Sequence, residues 1–149
     1  MIQGSERLVK KRSKPCELTF KDYQLLAEFR HLLARFLAFS EEAAQSEGLA
    51  PRQHQALLAI KGHPEGAAVT IGDLAKRLCI RHNSAVELVD RLERMHMLTR
   101  HSDSADARRV MLVLTGKANA VLVALSTVHR NELRHLMPLL KPLLAELAK

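Results

Sequence analysis

Apolar residues recur along this chain at helical spacing, and the period shortens to that of strands in one place only. From Leu18 to about Glu47, the residues Leu25, Leu26, Phe29, Leu32, Leu33, Phe36 and Leu37 form one broad stripe, which predicts a long helix. The stripe is wider than one neighbouring helix needs, so part of it is expected to face a second subunit. Gly48 stands at a usual C-terminal stop. Pro51 then opens a shorter helix, where its missing N–H costs nothing. That helix is expected to turn Leu57, Leu58 and Ile60 inward and to end at Gly62, ahead of a turn over residues 63–69 that contains Gly66.

The stretch from Thr70 to Thr115 is the most informative. Ile71, Leu74, Ala75 and Leu78 fall at i, i+3, i+4 and i+7, one buried face of a short helix. Thr70 with Asp73 three residues on resembles a capping box. Cys79 and Ile80 make the turn, with Cys79 expected as a small buried filler. A second helix follows from near Arg81 to about Met95, with Ala85, Leu88, Val89 and Leu92 inward. His82, Asn83, Ser84, Glu87, Arg91 and Arg94 are left on or near its outer side. A short second helix with hydrogen-bonding residues at its N-terminal end suits a DNA-recognition helix, although an ordinary solvated face has the same pattern.

The residues after this helix favour recognition. Leu98–His101 and Arg108–Leu114 read as two strands around the polar loop 102–107. A hairpin carrying Arg100, Arg108 and Arg109 directly after such a helix is a wing, able to set a guanidinium in a narrow minor groove. Beyond it, Thr115 is a candidate N-cap for a long helix to about His135, with Val121, Leu122, Leu125 and Val128 on its apolar face. Pro138 is expected to break that helix, and a last one to carry Leu139, Leu140, Leu143, Leu144 and Leu147 with Pro142 in its first turn.

Three segments together resemble the MarR family of winged helix-turn-helix regulators. They are Ile71-Gly72-Asp73-Leu74-Ala75-Lys76-Arg77-Leu78, Leu88-Val89-Asp90-Arg91-Leu92-Glu93, and Asp106-Ala107-Arg108-Arg109 running into Leu112-Val113-Leu114-Thr115. The resemblance implies a mainly α fold with a small β-hairpin wing, arranged as a winged helix-turn-helix with N- and C-terminal dimerisation helices. Residues 18–148 would form a single MarR-like domain. Within it, 18–47 and 116–148 would be the dimerisation helices and 51–115 the winged helix-turn-helix. It also implies a homodimer reading a pseudo-palindromic duplex site, acting as a repressor relieved by a small aromatic or phenolic effector, with no cofactor. Effectors of such proteins often bind between the dimerisation helices and the DNA-binding lobe, and Tyr23, His31, Arg35 and His54 are candidates near that cleft.

On this reading Thr70, helix-start N–H groups and Arg81 would hold phosphates. His82, Asn83 and Ser84 would read bases, with Asn83 suited to adenine and Glu87 to cytosine N4, and Arg91 close by. Arg108 would enter the minor groove, Asp106 would orient the wing, and Arg109 would serve the same groove or the sheet surface. Three positions depart from the family. Arg81 stands where Ser is a common N-cap, Glu87 where a basic or neutral residue is usual, and Ala118 where Gly is usual.

Composition narrows the alternatives. A net charge of +7 favours a polyanionic partner. The first 17 residues carry Arg7, Lys10, Lys11, Arg12 and Lys14 and read as a flexible basic arm. Aromatics are only 3% of the chain, which argues against stacking platforms for single-stranded nucleic acid. No apolar leader, no apolar run of membrane-spanning length and only two cysteines, Cys16 and Cys79, fit a reduced cytoplasmic protein with no membrane partner. No phosphate loop, metalloprotease motif or nucleophile elbow points to an enzyme. Eight histidines invite a metal sensor, but none are paired at compact ligand spacing. Cys16 lies ahead of the first helix, off the position that peroxide sensors of the family use. Redox- or metal-sensing variants of the fold, and a dimerising protein-interaction module that no longer reads DNA, remain as alternatives.

Overall fold

The structure, a computed structural model, describes residues 17–64 and 68–149. Residues 1–16 of the expected basic arm, Cys16 among them, and Gly66 of the expected turn lie outside the described residues. Five helices and one hairpin follow in the order α1 (Phe20–Ser46), α2 (Pro51–Lys61), α3 (Ile71–Leu78), α4 (His82–Arg94), β1 (Leu98–Ser102), β2 (Val110–Leu114) and α5 (Gly116–Leu147). This is the winged helix-turn-helix architecture, mainly α with a small antiparallel wing.

Local chemistry sets most boundaries. Thr19 caps α1 in a reciprocal box, its hydroxyl accepting from the Asp22 N–H while the Asp22 carboxylate accepts from the Thr19 N–H at 2.7 Å. At the far end Gly48 takes a φ of +75°, and Leu49 N–H donates to the Ala44 carbonyl at 2.9 Å. That left-handed turn satisfies carbonyls the helix leaves open and buries Leu49 against the core. Pro51 is the first residue of α2. Leu57 and Ile60 are buried there, but Leu58 is 47% exposed, contrary to expectation. Leu57 and Ile60 lie three apart and take the inward face, which leaves their neighbour Leu58 on the flank.

The larger core holds the α2–α4 lobe, the wing and the start of α5, through residues such as Leu57, Leu74, Val89, Leu92, Leu98, Leu112 and Leu122. The hairpin pairs Leu98 with Leu114 and Ser102 with Val110. Leu112 N–H also donates to the Val69 carbonyl at 2.8 Å, tying the wing to the segment before α3. Thr115 caps α5, and Ala118 is fully buried in the first turn. A glycine at that position is therefore not needed to start this helix.

Pro138 does not break α5. One helix runs from Gly116 to Leu147 with Pro138 and Pro142 inside it. Each proline deletes one backbone hydrogen bond and crowds the preceding turn. The opposing force is packing. Leu136, Leu140, Leu143 and Leu147 recur at i, i+4, i+7 and i+11 and close on Leu25, Phe29, Leu32 and Phe36 of α1. The Lys21–Glu146 ion pair at 2.9 Å lies at the open end of the same pair. Other apolar residues of the two helices remain uncovered, including Leu26, Leu33 and Leu37 on α1 and Leu133, Met137 and Leu144 on α5. No helix among the described residues is long and apolar enough to cross a membrane.

Candidate nucleic-acid interface

The interface is built outward from α3. Its cap is a full box: the Thr70 hydroxyl accepts from the Asp73 N–H at 3.2 Å, and the Asp73 carboxylate accepts from the Thr70 N–H at 3.0 Å. The backbone hydrogen bond from Thr70, then the one from its hydroxyl, hold the Asp73 carboxyl below its ordinary pKa. The Thr70 hydroxyl proton points to that carboxylate at 2.8 Å. A phosphate at this end would therefore be met by helix N–H groups before the Thr70 side chain.

Cys79 closes α3 in the left-handed region, with φ 54°, and is exposed. Cys79 is therefore not the buried filler that its size suggests. A left-handed cap residue reverses the chain, and it is the next residue, Ile80, that packs on the core. The turn delivers α4 with Ala85, Leu88, Val89 and Leu92 buried. Arg81, His82, Asn83, Ser84, Glu87 and Arg91 are all exposed. Ser84, Glu87 and Arg91 stand at i, i+3 and i+7 on one line of the helix, with Asn83 one turn before Glu87. Arg81 is the N-cap residue, and no side chain caps the first N–H groups of α4. No acidic residue lies in that first turn. These open donors and the positive end of the helix dipole can receive an anion.

Arg52, at the start of α2, escaped the sequence reading. With Ile80, Ser84, Glu87, Leu88 and Arg91 it lines a shallow cleft beside the recognition face, and its guanidinium donates to the Leu78 carbonyl at 3.4 Å. Only the tertiary fold brings α2 to this place, so no local pattern could have marked it.

In the wing, Arg108 and Arg109 belong to the loop and not to β2, which begins at Val110. The expected strand is shortened because the loop has its own hydrogen bonds. Asp106 takes the Arg108 N–H on its carboxylate at 3.0 Å and the Arg109 N–H on its carbonyl at 2.9 Å. Asp103 N–H donates to the Arg109 carbonyl at 2.9 Å, and the Asp103 carboxylate accepts from the Ala105 N–H at 2.9 Å. Asp106 thus shapes the turn that presents both arginines, and both are exposed.

Arg100 departs from the expected role. It does not join the wing's free cations but reaches back to α4, pairing with Asp90 at 2.5 Å and with Glu93. The hydrogen bond it donates to Asp90, and after it the charge of Glu93, push its pKa above the ordinary guanidinium value.

Known proteins share both the sequence pattern and the fold. A model of the MarR family matches residues 47–109, from the end of α1 to the tip of the wing. Over residues 47–109 the chain is thus similar to MarR-family proteins, on a winged helix-turn-helix scaffold. An uncharacterised HTH-type transcriptional regulator of Bacillus subtilis, YcgE, is 35% identical over 85 residues, covering 57% of this chain. The match spans 53% of YcgE, about half of that relative's length. Among solved structures, the fold resembles AbsC, a MarR family transcriptional regulator of Streptomyces coelicolor (TM-score 0.70, 22% identity, 87% of this chain and 88% of the other). It also resembles MepR of Staphylococcus aureus in a complex with DNA (TM-score 0.62, 21% identity, 82% and 85% covered) and MepR bound to ethidium bromide (TM-score 0.58, 21% identity, 82% and 83% covered). The relatives that these comparisons name are transcription regulators.

Of the four effector candidates, Tyr23, His31 and Arg35 are exposed on α1, whereas His54 is 4% exposed. His54 lies where α1, α2 and α5 meet, its ring 4.9 Å from that of His129. His129 Nδ1 donates to the Leu125 carbonyl at 2.5 Å, so its Nε2 accepts from the Ser40 hydroxyl at 2.7 Å. Phe36 and Phe39 meet the His129 ring edge-on. Burial, and then the neighbouring His129, lower the His54 pKa. His54 is thus a core residue of the joint between lobes. Beside that joint, Phe39, Glu42, Ala43, Ser46 and Glu47 of α1 and its C-cap line a cleft with Ala124, Leu125 and Val128 of α5. Among the described residues, no three His, Cys, Asp or Glu side chains are grouped to hold a metal.

Proposed function

We propose that the protein is a homodimeric repressor that binds a pseudo-palindromic duplex site sequence-specifically and is released by a small aromatic effector. The observation that carries this reading is the exposed polar side of α4, with Asn83, Ser84, Glu87 and Arg91 open to solvent while Ala85, Leu88, Val89 and Leu92 are buried. On this reading Asn83, His82 and Ser84 read bases and Glu87 accepts from cytosine N4. Arg81, Arg52 and the open N–H groups of α4 hold phosphates. Arg108 enters the minor groove, with Arg109 beside it. A regulator acting on chromosomal DNA works in the cytoplasm.

The uncovered leucines of α1 and α5 support the dimer, because two copies can bury them against each other. A two-fold axis would then present two recognition helices about one DNA turn apart. For the effector, the cleft between α1 and α5 offers Phe39 together with the carboxylates of Glu42 and Glu47. That charge favours a cationic aromatic over an aromatic acid or phenolate, and the ethidium-bound MepR structure is a relative with such a ligand. Effector binding changes DNA affinity only as far as it favours one spacing of the two helices.

Hydroxyl-radical footprinting of a bound duplex tests the reading. It predicts two protected patches one helical turn apart, two protomers per duplex, and loss of flanking minor-groove protection in Arg108→Ala. A single patch, or binding of equal strength to every duplex, would favour a basic surface without sequence readout.

A further inference from the structure

We propose that Arg100 is a positioning residue that locks the wing to the recognition helix, so that the wing arginines and the base-reading residues act as one rigid head. The proposal rests on the DNA-binding reading above. It starts from the joint between α4 and β1. The chain passes from one to the other through Met95, His96 and Met97, with His96 in the left-handed region at φ 57°. Leu98 and Leu112 in the core and the Leu112–Val69 hydrogen bond hold the foot of the wing, which leaves its angle to α4 to be set across the three-residue corner. Arg100 spans that corner. It sits on β1 opposite Leu112 and is 26% exposed. One arm of its guanidinium takes Asp90 and the other takes Glu93.

The residue types matter. Asp90 and Glu93 lie three apart on α4, which puts both carboxylates on the side of the helix that meets β1, flanking the line of Ser84, Glu87 and Arg91. Only a planar, forked cation can hold two such carboxylates at once in a fixed orientation, whereas a lysine ammonium would leave the angle free. The pairing also removes a liability. Two bare carboxylates on the recognition helix would repel the phosphates it approaches, and Arg100 neutralises one charge and screens the other. Arg108 and Arg109 then sit at the end of a strand pair whose base is clamped, and their reach is set by the clamp.

The test compares wild type, Arg100→Gln, Arg100→Lys, Arg108→Ala and the charge swap Asp90→Arg with Arg100→Asp. Two readouts are used: binding of a selected duplex over a range of salt, and amide hydrogen exchange of the free protein. Arg100→Gln is expected to weaken binding about tenfold without changing the slope of affinity against salt, because no phosphate contact is lost. Arg108→Ala should lower that slope by about 0.9. In the free protein, Arg100→Gln should speed exchange in the wing while the α1–α5 helices and the melting temperature stay as in wild type. Arg100→Lys should fall between, and the swap should recover binding to within about threefold of wild type. A salt slope that falls as much as in Arg108→Ala would make Arg100 a phosphate contact and overturn the proposal. So would unchanged wing exchange, a general loss of stability, or a swap that recovers nothing. If wild type shows no duplex preference, the DNA-binding reading fails, while the exchange arm still decides whether Arg100 holds the wing.

Discussion

Removing three leucines from α1 should dissolve the proposed dimer and leave the protomer folded. Leu26, Leu33 and Leu37 stand at i, i+7 and i+11, on one stripe, and are 46%, 39% and 47% exposed. Full burial of a leucine is worth about 1.5–3 kcal/mol, so the uncovered part of each can return about 1 kcal/mol when a second copy closes over it. Across a two-fold axis each substitution is made twice. Leu33→Ala alone should then cost about 2 kcal/mol of dimer stability, a rise of about 30-fold in the dissociation constant. The triple Ala variant should lose about 6 kcal/mol, a rise of about 10⁴-fold. These are upper values, since buried area converts incompletely into affinity. Sedimentation equilibrium from nanomolar to micromolar protein reads both numbers, with circular dichroism to confirm the helices. Leu58→Ala is the control, because Leu58 is as exposed as Leu37 but lies on α2, off this stripe. A triple variant that still dimerises like wild type, or a Leu58→Ala variant that dissociates as readily, would refute the assignment of this face.

Three single substitutions probe the protomer itself. His54 has a folded-state pKa below its ordinary 6.5, so the unfolded chain binds the proton more readily. Its contribution to stability is full above about pH 6.5 and is lost as pH falls from there toward the lowered folded value, and His54→Leu should flatten that limb in urea unfolding; an unchanged limb would assign it to other groups. Pro138→Ala should restore a backbone hydrogen bond within α5 and raise stability by about 1–3 kcal/mol, read as a higher denaturation midpoint with an unchanged slope; no gain would mean that the helix has adjusted around the proline. His96→Gly should gain about 0.5–1 kcal/mol, the left-handed penalty less glycine's extra chain entropy; a loss would show that the His96 side chain makes a compensating contact.

Features carried by short-range chemistry were legible in the chain. The Thr70–Asp73 box, the Gly48 stop, the Pro51 start and the inward set Ala85, Leu88, Val89 and Leu92 all stand where spacing and capping rules put them. What the chain hid depends on tertiary contact. Pro138 reads locally as a helix breaker, but the leucines around it are held by α1, and that packing outweighs the lost bond. Leu58 reads as core because it is a leucine beside Leu57, yet the buried face of α2 runs through His54, Ala56, Leu57 and Ile60 and leaves Leu58 on its flank. Arg108 and Arg109 read as strand because Val110 follows them, while the two aspartates draw the backbone into a loop. Arg100 looked like one more wing cation, since its partners lie seven and ten residues back on another element. Cys79 reads as a filler until its left-handed backbone turns it to solvent.

The central claim is sequence-specific duplex recognition by α4 and the wing, and selection of bound duplexes from a random pool at near-physiological salt tests it most directly. Wild type and Arg108→Ala should be run side by side. The account predicts enrichment of one inverted repeat with half-sites about one turn apart, and a weaker enrichment that fades first at the flanks with Arg108→Ala. Binding that enriches no sequence and only declines as salt rises would contradict it, leaving a basic surface on a winged helix scaffold.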